Sequence, residues 1–143
     1  MYRFLEETVA ENMTSAVKTV SPDTTMRSLH RLFAADDFNA YPVLHDGKLL
    51  AIVSKFDFLR CFALTSANLI PRYDDLMNRT VADVMTHEFV TATPDTRLQR
   101  VLQLMVIHRV RSMPVVDADN HLMGIISRED VMRALDRCTE NDD

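Results

Sequence analysis

The chain has 143 residues, 47% of them hydrophobic, and a formal net charge of −5 at pH 7. This length suits one ordinary domain with a buried core. The negative charge argues against broad binding to nucleic acid or anionic membranes, because proteins bind such phosphate-rich surfaces with clustered Lys and Arg. Two cysteines do not make a disulfide framework, and no apolar run reaches the roughly twenty residues of a membrane helix, so we expect a cytoplasmic protein without membrane insertion.

An internal repeat is visible from the beginning of the chain. A short amphipathic lead-in, residues 1–7, precedes the segment Thr8–Thr14, which has a close echo in Thr80–Thr86. The β-favouring segments 17–21 and 89–93 follow the two echoes, and Pro-Asp-Thr closes each of them. Proline ends an extended segment, and Asp or Thr can cap the helix that follows.

Apolar residues then recur at helical spacing in both copies, which predicts one core-facing stripe on each helix. The stripes are Met26, Leu29, Leu32 and Phe33 in the first copy, and Leu98, Val101, Leu102, Met105 and Val106 in the second. Pro42 and Pro114 each open an apolar strand, where a missing amide hydrogen is tolerated. A hairpin follows in each copy, and its turn is one residue longer in the second.

A second helix ends each copy, from Lys55 to about Leu64 and from Arg128 to about Arg137. We assign residues 1–64 to the first copy with its lead-in, and 80–137 to the second copy. Residues 65–79 are predicted to be a linker with some helical content. The polar and acidic residues 138–143 are predicted to be a frayed tail.

The most informative pattern is the second half of each copy. A Pro-Val strand is followed by a turn and by a strand ending in serine, Ala-Ile-Val-Ser at 51–54 and Gly-Ile-Ile-Ser at 124–127, with an aspartate three residues later. Written twice, this pattern resembles a pair of CBS domains, named after cystathionine β-synthase, over residues 8–62 and 80–135.

The resemblance implies an α/β fold of the α+β type, with two β-α-β-β-α units packed about a pseudo-two-fold axis. The family's clefts between such units often bind adenosine-containing ligands. Those ligands are AMP, ADP, ATP, S-adenosylmethionine or sometimes NADH, and no cofactor is required. The resemblance also implies a homodimer.

The chemistry of such a site follows from the residue types at the end of the repeated strand. A ribose offers two neighbouring hydroxyl donors and a carboxylate offers two acceptor oxygens in one plane, so Asp57 and Asp130 suit the ribose. Ser54 and Ser127 stand where a helix begins, which attracts phosphate. By the resemblance, further residues would frame the base and phosphates: Thr19, Val20, Phe38, Asn39, Ala40 and Lys55 in the first copy, and Thr91, Ala92, Val110, Arg111, Ser112 and Arg128 in the second.

The two sites should be unequal, because the residues before the Pro-Val strand differ in charge. The second copy has His108, Arg109 and Arg111 where the first has Asp36, Asp37 and Asn39. Acidic residues near a phosphate oppose its binding, so we predict that the Asp130 site is the better site for anionic nucleotides. The first copy also has Ala51 where the second has Gly124, which weakens the case for close backbone approach there.

Simpler explanations exist for each of these features. Ser-x-x-Asp is also a helix-capping arrangement, and Arg109 and Arg111 could form a solvated helix end or, less favourably, a nucleic-acid contact. The histidines and cysteines show no metal-ligand spacing, and no nucleophile has a partner at a motif spacing, so we expect neither a metal site nor an enzyme.

The helix beginning at Lys55 is apolar around much of its circumference, which predicts a second partner surface. That partner would be a second copy of the chain or the linker residues Leu69, Ile70 and Leu76. The functional hypothesis is a regulatory module that signals nucleotide occupancy to an unidentified effector protein. The alternative is a structural homodimerisation module with empty clefts.

Overall fold

The computed structural model of the chain describes residues 2–63 and 73–140 and contains two packing units. Residues 18–89 form one unit, and residues 1–17 with 90–143 form the other. Each unit buries one carboxylate, so we call them the Asp57 unit and the Asp130 unit. The Asp57 unit therefore includes the opening segment of the second sequence copy, and the Asp130 unit includes the opening segment of the first. The boundaries of the sequence copies themselves stay a prediction.

The elements follow in chain order. The helices are α1 (Tyr2–Glu6), α2 (Val9–Asn12), α3 (Met26–Ala35), α4 (Lys55–Ala63), α5 (Tyr73–Met77), α6 (Leu98–His108) and α7 (Arg128–Glu140), with a 3₁₀ helix at Val81–Asp83. The strands are β1 (Ala40–His45), β2 (Lys48–Ser54), β3 (Ser112–Val116) and β4 (Leu122–Ser127). None of the helices in the described ranges is long and apolar enough to cross a membrane.

The Asp57 unit is organised around an antiparallel hairpin of β1 and β2. Asp46 and Gly47 form its turn with positive φ angles of 53° and 78°, the conformation that a two-residue hairpin turn requires. Val20 adds a single parallel bridge to β1, and Thr86 adds an antiparallel bridge to β2. The core residues are Val20, Met26, Leu29, Tyr41, Val43, Ala51, Val53, Phe58, Met77, Val81 and Val84.

The Asp130 unit repeats this plan with β3 and β4. Its turn between Val116 and Leu122 is longer, which confirms the predicted insertion, and a turn absorbs an extra residue without moving the core. Ala92 bridges to β3 in parallel, and Thr14 bridges to β4. The core residues are Phe4, Val9, Ala92, Leu98, Val101, Met105, Met113, Val115, Ile126, Val131, Ala134 and Cys138. The mixed helix and strand content, with two small antiparallel sheets, confirms the α+β class.

The segments before the first helix of each copy differ from the predictions in strand length and in helix capping. The expected strands at 17–21 and 89–93 are reduced to the single bridges of Val20 and Ala92, because a Pro-Asp-Thr turn follows at once. The Pro-Asp-Thr threonines close that turn and do not cap the helix. Thr25 caps α3 instead, accepting a hydrogen bond from the Ser28 N–H at 3.1 Å, and α6 begins without a side-chain cap.

The helical stripe of α3 is confirmed, since Met26 and Leu29 are buried and the other two residues pack against the core. The stripe of α6 is narrower than predicted. Leu102 and Val106 are exposed, Val106 to 75%, because only the face that carries Leu98, Val101 and Met105 packs into the core.

The end of the chain also differs from the prediction. The last helix, α7, continues to Glu140, because Cys138 lies on the same buried face as Val131 and Ala134. Cys138 is therefore a core residue and not part of a frayed tail. Residues 141–143, and the predicted linker residues Leu69 and Ile70, lie outside the described part of the chain.

Candidate functional site

The junction between β2 and α4 holds a hydrogen-bonded serine and aspartate. The Ser54 N–H donates to Asp57 Oδ2 at 2.9 Å, and the Asp57 N–H donates to Ser54 Oγ at 3.0 Å. The Thr86 hydroxyl donates to the other carboxylate oxygen, Oδ1, at 3.0 Å, and Arg60 lies 3.7 Å from that oxygen. Asp57 is only 5% exposed, so these bonds hold a buried charge. The helix-capping arrangement considered from the sequence is therefore present.

The junction between β4 and α7 repeats the arrangement around Asp130, which is 2% exposed. The N–H and hydroxyl of Ser127 donate to Asp130 Oδ2 at 2.9 and 3.0 Å, and the Asp130 N–H donates to Ser127 Oγ at 3.3 Å. Thr14 donates to Oδ1 at 3.4 Å, and Arg133 donates to the same oxygen. Both predicted ribose-binding carboxylates thus already accept intramolecular hydrogen bonds.

The two carboxylates differ in the number of hydrogen-bond acceptor positions that remain free for a ligand. A carboxylate offers about four acceptor positions. Among the described residues, two hydroxyl or N–H donors reach Asp57, whereas Ser127, Thr14 and Arg133 fill the acceptor positions of Asp130. A ribose could bond to Asp57 beside its present donors, but at Asp130 it would have to replace at least one of them.

Several predicted neighbours lie at these junctions. Ala40 pairs with Ser54, and the Lys55 N–H donates to the carbonyl oxygen of Asn39 at 2.9 Å. In the Asp130 unit, Ser112 pairs with Ser127, and the Arg128 N–H donates to the carbonyl oxygen of Arg111 at 3.0 Å. The structure therefore brings together the residue before the Pro-Val strand, the serine and the first helical residue in each unit.

Other predicted residues lie further away along the strands. Val20 and Ala92 are buried and pair with β1 and β3 at Val43 and Val115, three residues from the pairs that contain the serines. This separation is about 10 Å along a strand. Thr19 and Thr91 immediately precede these two residues, and because the pairing is parallel they lie on the side nearer to the serines.

The two remaining predicted residues lie just before the Pro-Val strands. Phe38 is 47% exposed and packs edge-on against Tyr41. Val110 is half-buried and donates its N–H to the carbonyl oxygen of Met105 at the end of α6.

Asp36, which follows α3 and precedes β1, has its charge compensated within its own unit. Asp36 forms an ion pair with Lys18 at 2.7 Å and accepts a hydrogen bond from the Tyr41 hydroxyl at 2.9 Å. The Lys18 bond, followed by the Tyr41 bond, holds the pKa of Asp36 below its usual value. Burial, together with the negative charge of Asp36, raises the pKa of Tyr41. Asp37, by contrast, is exposed and makes no ion pair with any described residue.

Sequence reasoning missed Thr14 and Thr86 as partners of the buried aspartates. Each threonine is the last residue of an echo segment, and each is held by backbone hydrogen bonds to β4 or β2. The signal was present in the echo itself, because both copies of the segment end in Met-Thr. The sequence pattern did not show which strand each segment pairs with.

Gly124 allows another segment of the chain to approach β4 closely. A Cβ at this position would lie 2.6 Å from the carbonyl oxygen of Thr14 and 2.9 Å from Met13 Sδ. The glycine therefore makes room for the Met13-Thr14 segment against β4. The corresponding residue of β2 is Ala51, which is buried and carries a Cβ.

The turn between β3 and β4 also gathers potential metal ligands. Ligand atoms of Asp117, Asp119 and His121 all lie within 4.8 Å of one another on the surface. Asp117 Oδ1 already accepts the N–H groups of Asp119 and His121, each at 2.9 Å. These bonds, chiefly the one from the His121 N–H, hold the pKa of Asp117 below its usual value. The arrangement is that of a side chain closing its own turn.

We expect Thr86→Val to lower the free energy of unfolding by about 1.5 kcal/mol, because it leaves Asp57 Oδ1 without a hydroxyl donor. Thr14→Val is the matched variant, and we expect it to cost less than about 1 kcal/mol because its bond is longer and Arg133 serves the same oxygen. Equilibrium urea unfolding of both variants measures the difference. Equal costs, or a larger cost for Thr14→Val, would contradict this account of the two carboxylates.

Comparison with known proteins agrees with this repeated geometry. The CBS domain family model matches residues 7–64 and 81–137. Uncharacterized protein MJ0188 of Methanocaldococcus jannaschii is 38% identical over 128 residues, which cover 88% of this chain and 43% of that protein. The CBS domain-containing protein YhcV of Bacillus subtilis is 32% identical over 124 residues, covering 86% of this chain and 81% of YhcV. This chain thus spans less than half of the archaeal relative.

A solved structure shows the same fold. CBSX2 from Arabidopsis thaliana, solved in complex with AMP, superposes with a TM-score of 0.78 at 28% identity and covers 92% of this chain and 98% of that one. Each of the two family matches includes one Ser–Asp pair. The chain therefore belongs to the CBS domain family and carries two copies of that domain.

Proposed function

We propose that this chain is a regulatory module that binds an adenosine-containing nucleotide of the AMP, ADP or ATP class and signals its occupancy to a partner protein. The observation that carries the proposal is the AMP complex of CBSX2, a protein that is 28% identical over nearly the whole of this chain. The buried carboxylate and the serine at each strand–helix junction support it. These groups offer acceptors for a ribose diol beside a helix N-terminus.

Signalling requires a ligand that binds one arrangement of the protein better than another. The contacts of Thr14 and Thr86 offer a physical route. A ribose hydroxyl could replace the Thr14 hydroxyl as a donor to Asp130. Thr14 would then lose its hydrogen bond to α7 but keep its two backbone hydrogen bonds to Ile125 of β4. Nucleotide occupancy would then change how firmly the opening segment of the chain is held.

The test is calorimetric titration of the purified chain with AMP, ADP, ATP, S-adenosylmethionine and NADH. We expect micromolar binding, about −8 kcal/mol, by at least one adenine nucleotide. The ribose contact is best tested on the ligand, because substitution of a buried aspartate also affects folding. We therefore expect 2′-deoxy and 3′-deoxy analogues of the tightest ligand to bind about tenfold more weakly.

A folded protein, shown free of copurified nucleotide, that gives no heat with any of these ligands would contradict the proposal. If the deoxy analogues bind as tightly as the parent ligand, the chain binds nucleotides without a hydrogen bond between the carboxylate and the ribose. The two outcomes are separate because the first concerns any ligand and the second concerns one pair of oxygens.

A second candidate is a structural homodimerisation module, and the surface of α4 favours it. Phe56 and Leu59 are 70% and 61% exposed on this helix, while Phe58 is buried in the core. Exposed apolar groups of this kind are typical of an interaction surface. A dimeric mass that is lost in a Phe56→Ser variant, combined with no nucleotide binding, would favour this candidate over the nucleotide module.

A further inference from the structure

The outward face of α6 carries large apolar side chains that the core of the Asp130 unit does not use. Val106 and Ile107 are 75% and 66% exposed, and Leu102 is exposed one turn before Val106. Residues three and four positions apart adjoin on a helix, so these side chains lie around Gln103, an exposed neutral amide. We call Leu102, Gln103, Val106 and Ile107 together the α6 surface.

The first helix of the Asp57 unit shows that the repeated fold does not require such a surface. The residues of α3 that correspond to the three apolar members of the α6 surface are His30, Ala34 and Ala35. The His30 ring stacks on Phe58 of α4 with the ring centres 5.5 Å apart, and the two alanines are small. A helix at this place in the unit therefore forms without large exposed apolar side chains. Their presence on α6 indicates a contact with another molecule.

The α6 surface has a cationic border. Arg100 donates a hydrogen bond to the side-chain oxygen of Gln103 at 3.3 Å, which holds its guanidinium group beside the surface. Residues 97–111 contain four arginines and neither Asp nor Glu, although the chain has a net charge of −5. Among the residues that the structure describes, no carboxylate forms an ion pair with any of these four arginines. The positive charge beside the surface is therefore uncompensated.

Arg109 extends this border at the end of α6, three residues after Val106. Its φ angle of 54° is in the left-handed region, which glycine adopts more readily than any residue with a Cβ. The Arg109 N–H closes the helix by donating to the carbonyl oxygen of Met105. An exposed cation thus occupies a position where glycine would meet the backbone requirement better. A side chain present at such a backbone cost supports contact with a partner at this point.

Charge distinguishes between the possible occupants of the α6 surface. A second copy of the chain that placed α6 against α6 would bring two cationic borders together, and like charges repel. An anionic bilayer would face a broad area of a protein whose net charge is −5. A protein segment that contacts only α6 is affected mainly by charges within about 8 Å at physiological ionic strength, and these charges are positive. Apolar side chains flanked by carboxylates complement this surface.

We infer that the α6 surface binds an acidic amphipathic helix of the partner protein to which the module signals. The inference rests on the proposed function, because that function requires a partner protein, and it gives the chemistry of the partner. The apolar side of the helix would pack on Val106 and Ile107. Its carboxylates would pair with Arg100 and Arg109, since guanidinium groups bind carboxylates with two parallel hydrogen bonds.

The test uses two synthetic peptides of about 16 residues, a length at which an isolated helix begins to form. One has leucine at helical spacing and glutamate at the other positions, and the second has lysine in place of every glutamate. Two-dimensional NMR of the full chain at constant ionic strength measures the affinity and locates the contact. The double variant Val106→Ala with Ile107→Ala copies α3, and it should fold because alanine favours helix.

We expect the glutamate peptide to shift the resonances of α6 and to bind about fivefold or more tightly than the lysine peptide. The double variant should weaken binding of the glutamate peptide by about fivefold or more. The control is Met132→Ala, which removes an exposed apolar side chain from α7 of the same unit. This control should leave the affinity for the glutamate peptide within about twofold of that of the unchanged chain.

The inference fails if the lysine peptide binds as tightly as the glutamate peptide, or if the double variant binds the glutamate peptide as tightly as the unchanged chain. It also fails if sedimentation shows a dimer that the double variant abolishes, since a second copy then covers the α6 surface. Displacement of the peptide by vesicles of phosphatidylcholine and phosphatidylserine would likewise overturn it in favour of a membrane.

Calorimetric titration of the same samples with AMP, ADP and ATP separates this inference from the proposed function. Nucleotide binding without binding of the glutamate peptide upholds the proposed function and contradicts the inference about α6. Peptide binding at α6 without binding of any nucleotide supports the α6 surface as an interaction site and contradicts the proposed function.

Discussion

Replacing Asp130 with alanine is expected to lower the free energy of unfolding by about 3 kcal/mol. The carboxylate is buried and accepts hydrogen bonds from Ser127, Thr14 and Arg133, so its removal strips the first turn of α7 of its cap and leaves the half-buried Ser127 N–H without that acceptor. Urea unfolding followed by circular dichroism measures the loss.

Asp136→Ala is the matched control for this prediction, because Asp136 is exposed on the same helix and should change stability by less than about 0.5 kcal/mol. A cost below about 1 kcal/mol for Asp130→Ala would mean that the observed bonds contribute little. The result also decides how ligand experiments are interpreted. If the variant is destabilised as expected, its loss of nucleotide binding cannot be assigned to the ribose contact alone.

Gly124→Ala is expected to cost about 2 kcal/mol, although glycine-to-alanine changes in strands are usually favourable. The new methyl group would lie 2.6 Å from the Thr14 carbonyl oxygen, which also accepts the Ile125 N–H at 2.9 Å. Met13 can move its flexible side chain, but the backbone oxygen can move only by breaking that bond. The same unfolding measurement tests this prediction.

The corresponding residue of the Asp57 unit provides the control. Ala51 is buried in β2 and already carries a Cβ, so Ala51→Gly should cost only about 0.5 to 1 kcal/mol through added backbone freedom. A Gly124→Ala variant that is as stable as the unchanged protein would show that the Met13-Thr14 segment does not pack closely on β4. A double variant with Met13→Ala should recover little stability, because the closest contact is to Thr14.

The local elements could be predicted because their causes are local. The Pro-Val strands, the Asp46-Gly47 turn and the buried stripe of α3 follow from propensity and periodicity over a few residues. The Ser-x-x-Asp junctions were also predicted, since both the capping bonds and the repeated spacing lie within four residues. The errors on α6 and at Cys138 share one cause, because burial depends on what covers a helix face.

The sequence by itself determined that the chain is a duplicated α+β unit and which residues stand at each strand–helix junction. Only the tertiary structure decided that the segment ending in Thr14 completes the unit of the second copy, and that the segment ending in Thr86 completes the unit of the first. The two segments are so similar in sequence that their local pattern does not show which copy each one pairs with. The choice is made by packing between residues far apart in the chain, such as Thr14 against Gly124, and no local pattern records it.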